Sequence, residues 1–356
     1  MKSVLVAPMH LAGRAAFALA AVAALWACGD GQSPKSAASG PLSGNIAIDG
    51  SSTLFPLSKE MAEAFREVNS GVQFAIDFSG TGGGFRKFCT GQVDMANASR
   101  PINAAENEQC KAQRIEYLEV PVAFDSLAVV VNAKNSFADC LTVKELKAAW
   151  EPAAEGKVKQ WNQLRASFPA QPLALFGPGK DSGTFDYFTL AIVGTEGSSR
   201  SDYSKSQDHL AVEKGVAADP NGLGFFGYAY YQANRDQVKL VAIDNGQGCV
   251  QPSAQSVAES KYQPLSRPLF VYVNAAAAAR PEVKAFMRFY LAPDNTKHVT
   301  KVGYVPLPNS SLVAQTARFE QGVTGSALGA HGAVVGVSLY SFDEKEMDRI
   351  RSQLVQ

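Results

Sequence analysis

The stretch NIAIDGSSTLFPLSKEMAEAFREV, residues 45–68, decides how the chain is read. Ile46-Ala47-Ile48 is a short apolar strand, and Gly50-Ser51-Ser52-Thr53 is a turn that ends in helix-capping hydroxyls. Beyond it Phe55, Leu57 or Met61, Phe65 and Val68 fall at helical spacing. The same unit of strand, polar turn and helix recurs downstream. Residues 72–78 alternate as a strand does, run into Ser79-Gly80-Thr81-Gly82-Gly83-Gly84, and a helix opens at Phe85-Arg86-Lys87-Phe88. Residues 93–98 are strand-like, stop at Ser99-Arg100-Pro101, and give way to a helix over 103–113. Such repetition is the pattern of an α/β domain with a largely parallel sheet. Ligands of these sheets sit at the carboxyl ends of the strands, where the polar turns fall.

Further along, residues 127–132 read as an apolar strand and 143–150 as a helix. Residues 173–176 are a strand that leads into Gly177-Pro178-Gly179-Lys180-Asp181-Ser182-Gly183-Thr184 and a helix carrying Phe185, Phe188, Leu190 and Ile192. Strands are expected over 223–231, 238–243 and 269–273, and an amphipathic helix over 281–291.

The chain has 356 residues, enough for two ordinary domains, and its formal net charge is zero. Nothing in that balance points to nucleic acid or to a broad membrane-binding surface. An anion would have to be held by local geometry. At the N-terminus, Lys2 and Arg14 precede an apolar run that ends in Leu25-Trp26-Ala27-Cys28, the pattern of a secretory signal over 1–27. Its apolar core spans about 18 Å as a helix, too short for a ~30 Å bilayer core. Cys28 after a small residue resembles a lipobox, with Trp26 bulkier than usual, so lipidation at Cys28 is expected. Residues 28–44 are a polar tether of small residues. The expected location is therefore the periplasm, with membrane contact only through the lipid.

Cys89, Cys110, Cys140 and Cys249 remain, an even number that suggests two disulfides with three possible pairings. Cys89–Cys110 would bracket the strand and turn at 93–101, and Cys140 and Cys249 each follow a strand, so these pairs are the expected ones. No spacing suggests a metal site, and no cofactor is expected.

Four segments share one grammar: Gly50-Ser51-Ser52-Thr53, Gly80-Thr81-Gly82-Gly83, Ala98-Ser99-Arg100 and Asp181-Ser182-Gly183-Thr184. A helix N-terminus offers free N–H groups and about half a positive charge, glycine admits close approach, and hydroxyls add donors. Arg100 would supply a forked, permanently charged donor. Singly each segment reads as an N-cap; together they point to an oxyanion. Enzyme signatures are weaker. Gly222-Leu223-Gly224-Phe225-Phe226-Gly227 fits GxGxxG, but no strand precedes it and it reads as a turn entering a strand. A hydrolase acting on phosphate esters would need Ser182 with His209 or His298, and GxSxG is missing.

Six stretches carry a family resemblance: IDGSSTLFPL (48–57), FSGTGGGF (78–85), DMANASRPI (94–102), FGPGKDSGTFDYF (176–188), LGFFGYAYY (223–231) and KVGYVPLP (301–308). The chain resembles the PstS family, the periplasmic phosphate-binding proteins of phosphate ABC transporters. The resemblance implies a two-lobed periplasmic-binding-protein (type II) fold of the α/β class with hinge-connected lobes. Lobe 1 would hold 45–126, lobe 2 127–265, and 266–356 would return to lobe 1 and end in a C-terminal segment. It implies phosphate contacts from Thr53 and Leu54 (Ser52 if the register shifts by one), Thr81, Ser99, Arg100, Ser182, Gly183 and Thr184. A monomer that passes phosphate to an ABC permease, without catalysis, is the expected protein. Arg100 stands where the best-known branch has a proton-accepting carboxylate, and Pro178 stands where that branch has an arginine. Asp125 and Asp181 are the candidate acceptors in its stead, and sulfate or molybdate is the alternative ligand.

Overall fold

The computed structural model describes residues 41–326 and 332–338. The expected signal, Cys28, the tether up to residue 40 and the end of the chain from 339 lie outside them. Among the described residues no helix is long and apolar enough to cross a membrane.

Strands β1 (Ser43–Gly50), β2 (Gly71–Ile76) and β3 (Met95–Ala98) form a parallel array with β1 central. Helices α1 (Phe55–Val68) and α2 (Thr81–Phe88) connect them, and α3 (Ala104–Ala112) follows. The apolar stripe read for α1 is real, since Leu57, Met61 and Phe65 are buried. Its last member is not part of it, because Val68 is 73% exposed. α2 starts four residues before the expected Phe85, so the glycine run is its first turn. Glycine is needed there: a Cβ on Gly84 would stand 2.4 Å from the Gly50 Cα.

β4 (Tyr117–Asn132) is a sixteen-residue strand, much longer than the expected 127–132. Glu119, Pro121 and Asp125 hide its first part from an apolar count, and every one of its residues is at least nine-tenths buried. Then come β5 (Cys140–Thr142), α4 (Val143–Trp150), β6 (Ala174–Gly177) and α5 (Gly183–Phe188), which runs on into a π-turn over Thr189–Val193. β7 (Ser204–Lys205), α6 (His209–Ala218), β8 (Gly222–Gly227), α7 (Tyr228–Ala233), β9 (Val238–Asp244) and β10 (Cys249–Val250) follow. The expected strand over 223–231 thus stops at Gly227. Tyr228 and Ala229 bury one side of a helix instead, and Tyr230 turns its hydroxyl to the Ser52 carbonyl at 2.6 Å. β11 (Ser266–Asn274) and β12 (Val305–Pro306) return the chain to the first sheet, which is completed by the helix Pro281–Leu291 packed on β1.

Strand order is β2-β1-β3-β11-β4-β8-β6-β7, with β9 also on β4. The outer strands are parallel, but β4 and β11 run antiparallel to the strands they pair with, so the expectation of a largely parallel sheet needs correcting. The reason is connectivity. β4 pairs with β11 up to Ser126 and with β8 and β9 from Leu127 on, so it carries the chain out of one sheet and into the other. β11 brings it back, beginning at Ser266 opposite Ser126. Pro121 sits beside a bulge in β4, where Val122 is left unpaired opposite the step from Leu269 to Phe270, and there a strand tolerates a residue without an N–H.

The disulfides are Cys89–Cys110 and Cys140–Cys249, the expected pairs. The first ties the end of α2 to α3, and the second joins β5 to β10. By the chain-entropy argument each contributes about 3–5 kcal/mol, the longer loop more.

Gly50 has φ +133°, and a Cβ there would meet the Asn97 carbonyl oxygen at 2.2 Å. Gly50→Ala is therefore expected to lower stability by about 2–3 kcal/mol, through backbone strain and displacement of β3. Urea unfolding measures this, and an unchanged midpoint would refute the tight β1–β3 approach.

Candidate functional site

The turns after β1, β2 and β6 each open a helix, and their hydroxyls come together. Thr53 Oγ1 lies 3.0 Å from Thr184 Oγ1, 131 residues away in sequence. Thr81 Oγ1 lies 3.2 Å from Ser99 Oγ and also accepts from the Ser99 N–H at 3.2 Å. Gly183 joins the two pairs: a Cβ on it would stand 2.5 Å from Thr81 Oγ1 and 2.6 Å from Ser99 Oγ. Thr53, Thr81, Ser99 and Thr184 have no solvent exposure. Asp49 braces the first two turns, accepting from the Gly50 N–H at 2.6 Å and from the Ser79 N–H and hydroxyl at 2.9 and 2.8 Å. The second and fourth turns meet directly, with Gly82 N–H donating to the Asp181 carbonyl at 3.1 Å.

The expected residues play unequal parts. Ser182 caps α5 by accepting from the Thr184 N–H at 3.1 Å. The Leu54 N–H donates to the Ser51 carbonyl at 3.1 Å, and Leu54 itself is buried. Ser52 Oγ faces His209 Nε2 at 3.3 Å, while His209 Nδ1 accepts from the Gly227 N–H at 3.3 Å. Burial, aided by the charge of Arg267, lowers the His209 pKa to about 3, so the ring is neutral and its proton sits on Nε2. The pairing of Ser182 with a histidine is not seen: His209 faces Ser52, and His298 binds Glu60 at 2.7 Å. The GxGxxG match is strand β8.

Arg100, expected as the anion's cation, is engaged by carboxylates. Its Nη1 and Nη2 donate to Glu106 at 2.8 Å each, and its Nε donates to Asp186 at 2.6 Å. Nη1 also reaches the Pro101 carbonyl at 3.1 Å, and Glu196 stands 3.6 Å from Nε. One guanidinium faces three carboxylates, which leaves no surplus positive charge.

Arg267, by contrast, lies among the hydroxyls of the turns. Its Nη2 donates to Thr184 Oγ1 at 2.7 Å and to Thr53 Oγ1 at 3.1 Å, and its Nη1 donates to the Gly183 carbonyl at 2.9 Å. Arg267 is 1% exposed and pairs with Asp125 Oδ2 at 3.0 Å. The pair is a product of strand register, since Arg267 of β11 lies directly opposite Asp125 of β4. The sequence reading missed Arg267. The signal was there: a charge inside the apolar run LSRPLFVYV is expensive unless it has partners.

The two acceptor candidates separate. Asp181 is half exposed and bridges to Arg86 at 2.9 Å on the surface. Asp125 is buried, and its Oδ1 has no hydrogen-bond partner. Burial pushes the Asp125 carboxyl up to about 6, against the pull of Arg267 and of the Ser126 backbone N–H.

Two sheets joined by crossing strands, with polar turns from both meeting over one buried guanidinium, define a two-lobed binding protein. A profile of the PBP superfamily domain matches residues 35–294. The chain is 47% identical to protein SphX of Synechocystis over 82% of its own length and 86% of that protein. It is 33% identical to the phosphate-binding protein PstS of Staphylococcus aureus, over 84% of this chain and 88% of that one. A solved possible phosphate binding protein from Planctomyces limnophilus is 41% identical, with TM-score 0.59, covering 79% of this chain and 99% of the other. The chain belongs to the PstS family of phosphate-binding proteins.

Removing one partner of a buried ion pair leaves the other uncompensated, at a cost of about 3–5 kcal/mol. Arg267→Ala should therefore destabilise the fold by roughly that amount, and Arg267→Gln combined with Asp125→Asn should recover most of it. Denaturant unfolding of both variants decides, and equal losses in the two would disprove the coupling.

Proposed function

We propose that the chain binds inorganic phosphate between its lobes and passes it to an ABC permease for import. The observation that carries this reading is Arg267, a buried guanidinium with donors on hydroxyls from two different turns and a carboxylate with one unpartnered oxygen beside it. A tetrahedral oxyanion would take the place of the hydroxyl–hydroxyl contacts and accept from Thr53, Thr81, Ser99, Ser182, Thr184 and Arg267. Gly183 leaves room for it. The lobes we assign as 45–126 with the return segment from 266, and 127–265. Capture without turnover fits the site, because Ser182 serves as a helix cap. Export by the N-terminal segment and anchoring through Cys28 complete the proposal, with a monomer as the working unit.

Asp125 supplies the discrimination. Hydrogen phosphate carries a proton and sulfate carries none, so an ionised acceptor at Oδ1 favours the first and repels the second. The sign of the pH dependence follows. The Asp125 carboxyl, raised to about 6, is ionised and accepting at higher pH, and a bound dianion moves its titration upward. Below that point it is protonated and can donate to sulfate.

Calorimetry on the chain from Pro41 onward, with phosphate, sulfate and molybdate, tests this. One phosphate per chain is expected, with no product released from phosphate esters. Arg267→Ala should weaken phosphate by more than a hundredfold, from about 3–5 kcal/mol of lost pairing. The phosphate-to-sulfate ratio should fall between pH 7.5 and pH 5 more steeply in the parent than in Asp125→Asn, whose remaining slope is that of phosphate's own second ionisation. Tight sulfate or molybdate binding at neutral pH would transfer the function to that anion.

A further inference from the structure

Arg100 has a different task. Its guanidinium is 4% exposed and lies at the seam between the two sheets. Glu106, which holds it bidentately, belongs to α3 on the same side, where it also closes the capping box with Asn103. Asp186 and Glu196 come from the other side, from α5 and from the segment after the π-turn. The C-terminal segment overlies the same place. The Gly332 N–H donates to the Ile102 carbonyl at 3.1 Å, and the Ala333 N–H donates to Glu196 Oε2 at 3.1 Å, so adjacent residues clasp both sides.

We propose that Arg100 is a closure latch that lets Glu106, Asp186 and Glu196 meet at the seam when the lobes are together, and that it does not touch the anion. This rests on the phosphate reading above and adds the control of that site. Arg100 follows β3 of one sheet and Asp186 lies on α5 of the other side, so separating the lobes breaks their 2.6 Å contact and hydrates both groups. In the closed form the pair is buried. Burial, with the neighbouring charges of Glu196 and Glu106, holds the Asp186 carboxyl up at about 6 against the pull of Arg100. A buried ion pair roughly balances desolvation against attraction, so such a latch specifies the closed register without locking it. Removing the cation upsets that balance, because Glu106, Asp186 and Glu196 would then face one another across the seam.

Three variants of the full chain test the latch: Arg100→Met, Asp186→Asn, and the triple Arg100→Met/Glu106→Gln/Asp186→Asn, in which glutamine retains the cap. Readouts are the phosphate dissociation rate by stopped flow, the phosphate-to-sulfate ratio by calorimetry, and the radius of gyration of the unliganded protein by X-ray scattering. Arg100→Met should release phosphate at least tenfold faster, widen the particle and leave the ratio within twofold. Asp186→Asn should act in the same direction more weakly, and the triple variant should recover most of the parent's residence time. A changed ratio, or a triple variant as weak as Arg100→Met, would mean that Arg100 contacts the anion. Dissociation as slow as in the parent for Arg100→Met would rule the latch out. If the parent itself takes up no phosphate, the functional reading fails separately. Scattering still judges the latch in that case, with equal radii for parent and Arg100→Met counting against it.

Discussion

The Arg267–Asp125 pair is the constraint around which the molecule is arranged. Both residues lie on the strands that pass between the sheets, and they face each other one residue from where β4 changes partners. A charged pair there would be costly in isolation. It is sustained because every donor aimed inward from Arg267 has an acceptor: Asp125, Thr53, Thr184 and the Gly183 carbonyl. Apart from Asp125 on β4, those acceptors belong to turns from both halves of the fold. The guanidinium is thus held by the hinge and reaches both lobes, so a shift in the crossing strands and a shift in either turn are felt at one point. The aromatic hydroxyls around it serve the same end. Tyr187 donates to the Pro264 and Ser266 carbonyls just before Arg267, and Tyr304 donates to the Thr53 carbonyl.

Much of this architecture can be read from the chain because each strand-turn-helix unit is local. The hydroxyl turns, the caps at Asn103 and Ser182, and helices such as Phe55–Val68 and Pro281–Leu291 depend on residues a few positions apart. What escaped the reading is non-local. The first part of β4 mixes Glu119, Pro121 and Asp125 into an apolar strand, and each is tolerated through a partner on another element. Glu119, for instance, accepts from the Tyr272 and Ser326 hydroxyls. The arginines show the same limit. By residue type and neighbours Arg100 looks like an anion ligand. Its true partners include Asp186 and Glu196, 86 and 96 residues further on by the numbering, and no local pattern announces them. Arg267 gave a local clue, a charge within an apolar strand, but its meaning lay in the residue opposite it on β4.

The two arginines also show why a guanidinium should be judged by the charges around it. Arg267 meets one carboxylate, plus neutral hydroxyls and a carbonyl. Arg100 meets three carboxylates. A dianion approaching the first finds a cation only partly compensated, with donors it can take over from hydroxyls. Approaching the second, it would have to displace a bidentate carboxylate and remain beside two more. The difference in Coulomb terms is large in a buried setting, where the effective dielectric is far below that of water.

Zero net charge makes this local arithmetic decisive. A protein with a strong positive field would collect anions of every kind at its surface. Here attraction has to arise inside the seam, after water has been excluded, and there shape and protonation state count as much as charge. An unpartnered carboxylate oxygen within an anion site would be a defect if the ligand were a bare tetrahedron. Beside a ligand that carries a proton it becomes a hydrogen-bond acceptor that no fully deprotonated anion can satisfy. On the phosphate reading proposed above, the buried Oδ1 of Asp125 would be the feature that turns a general oxyanion cradle into one suited to phosphate.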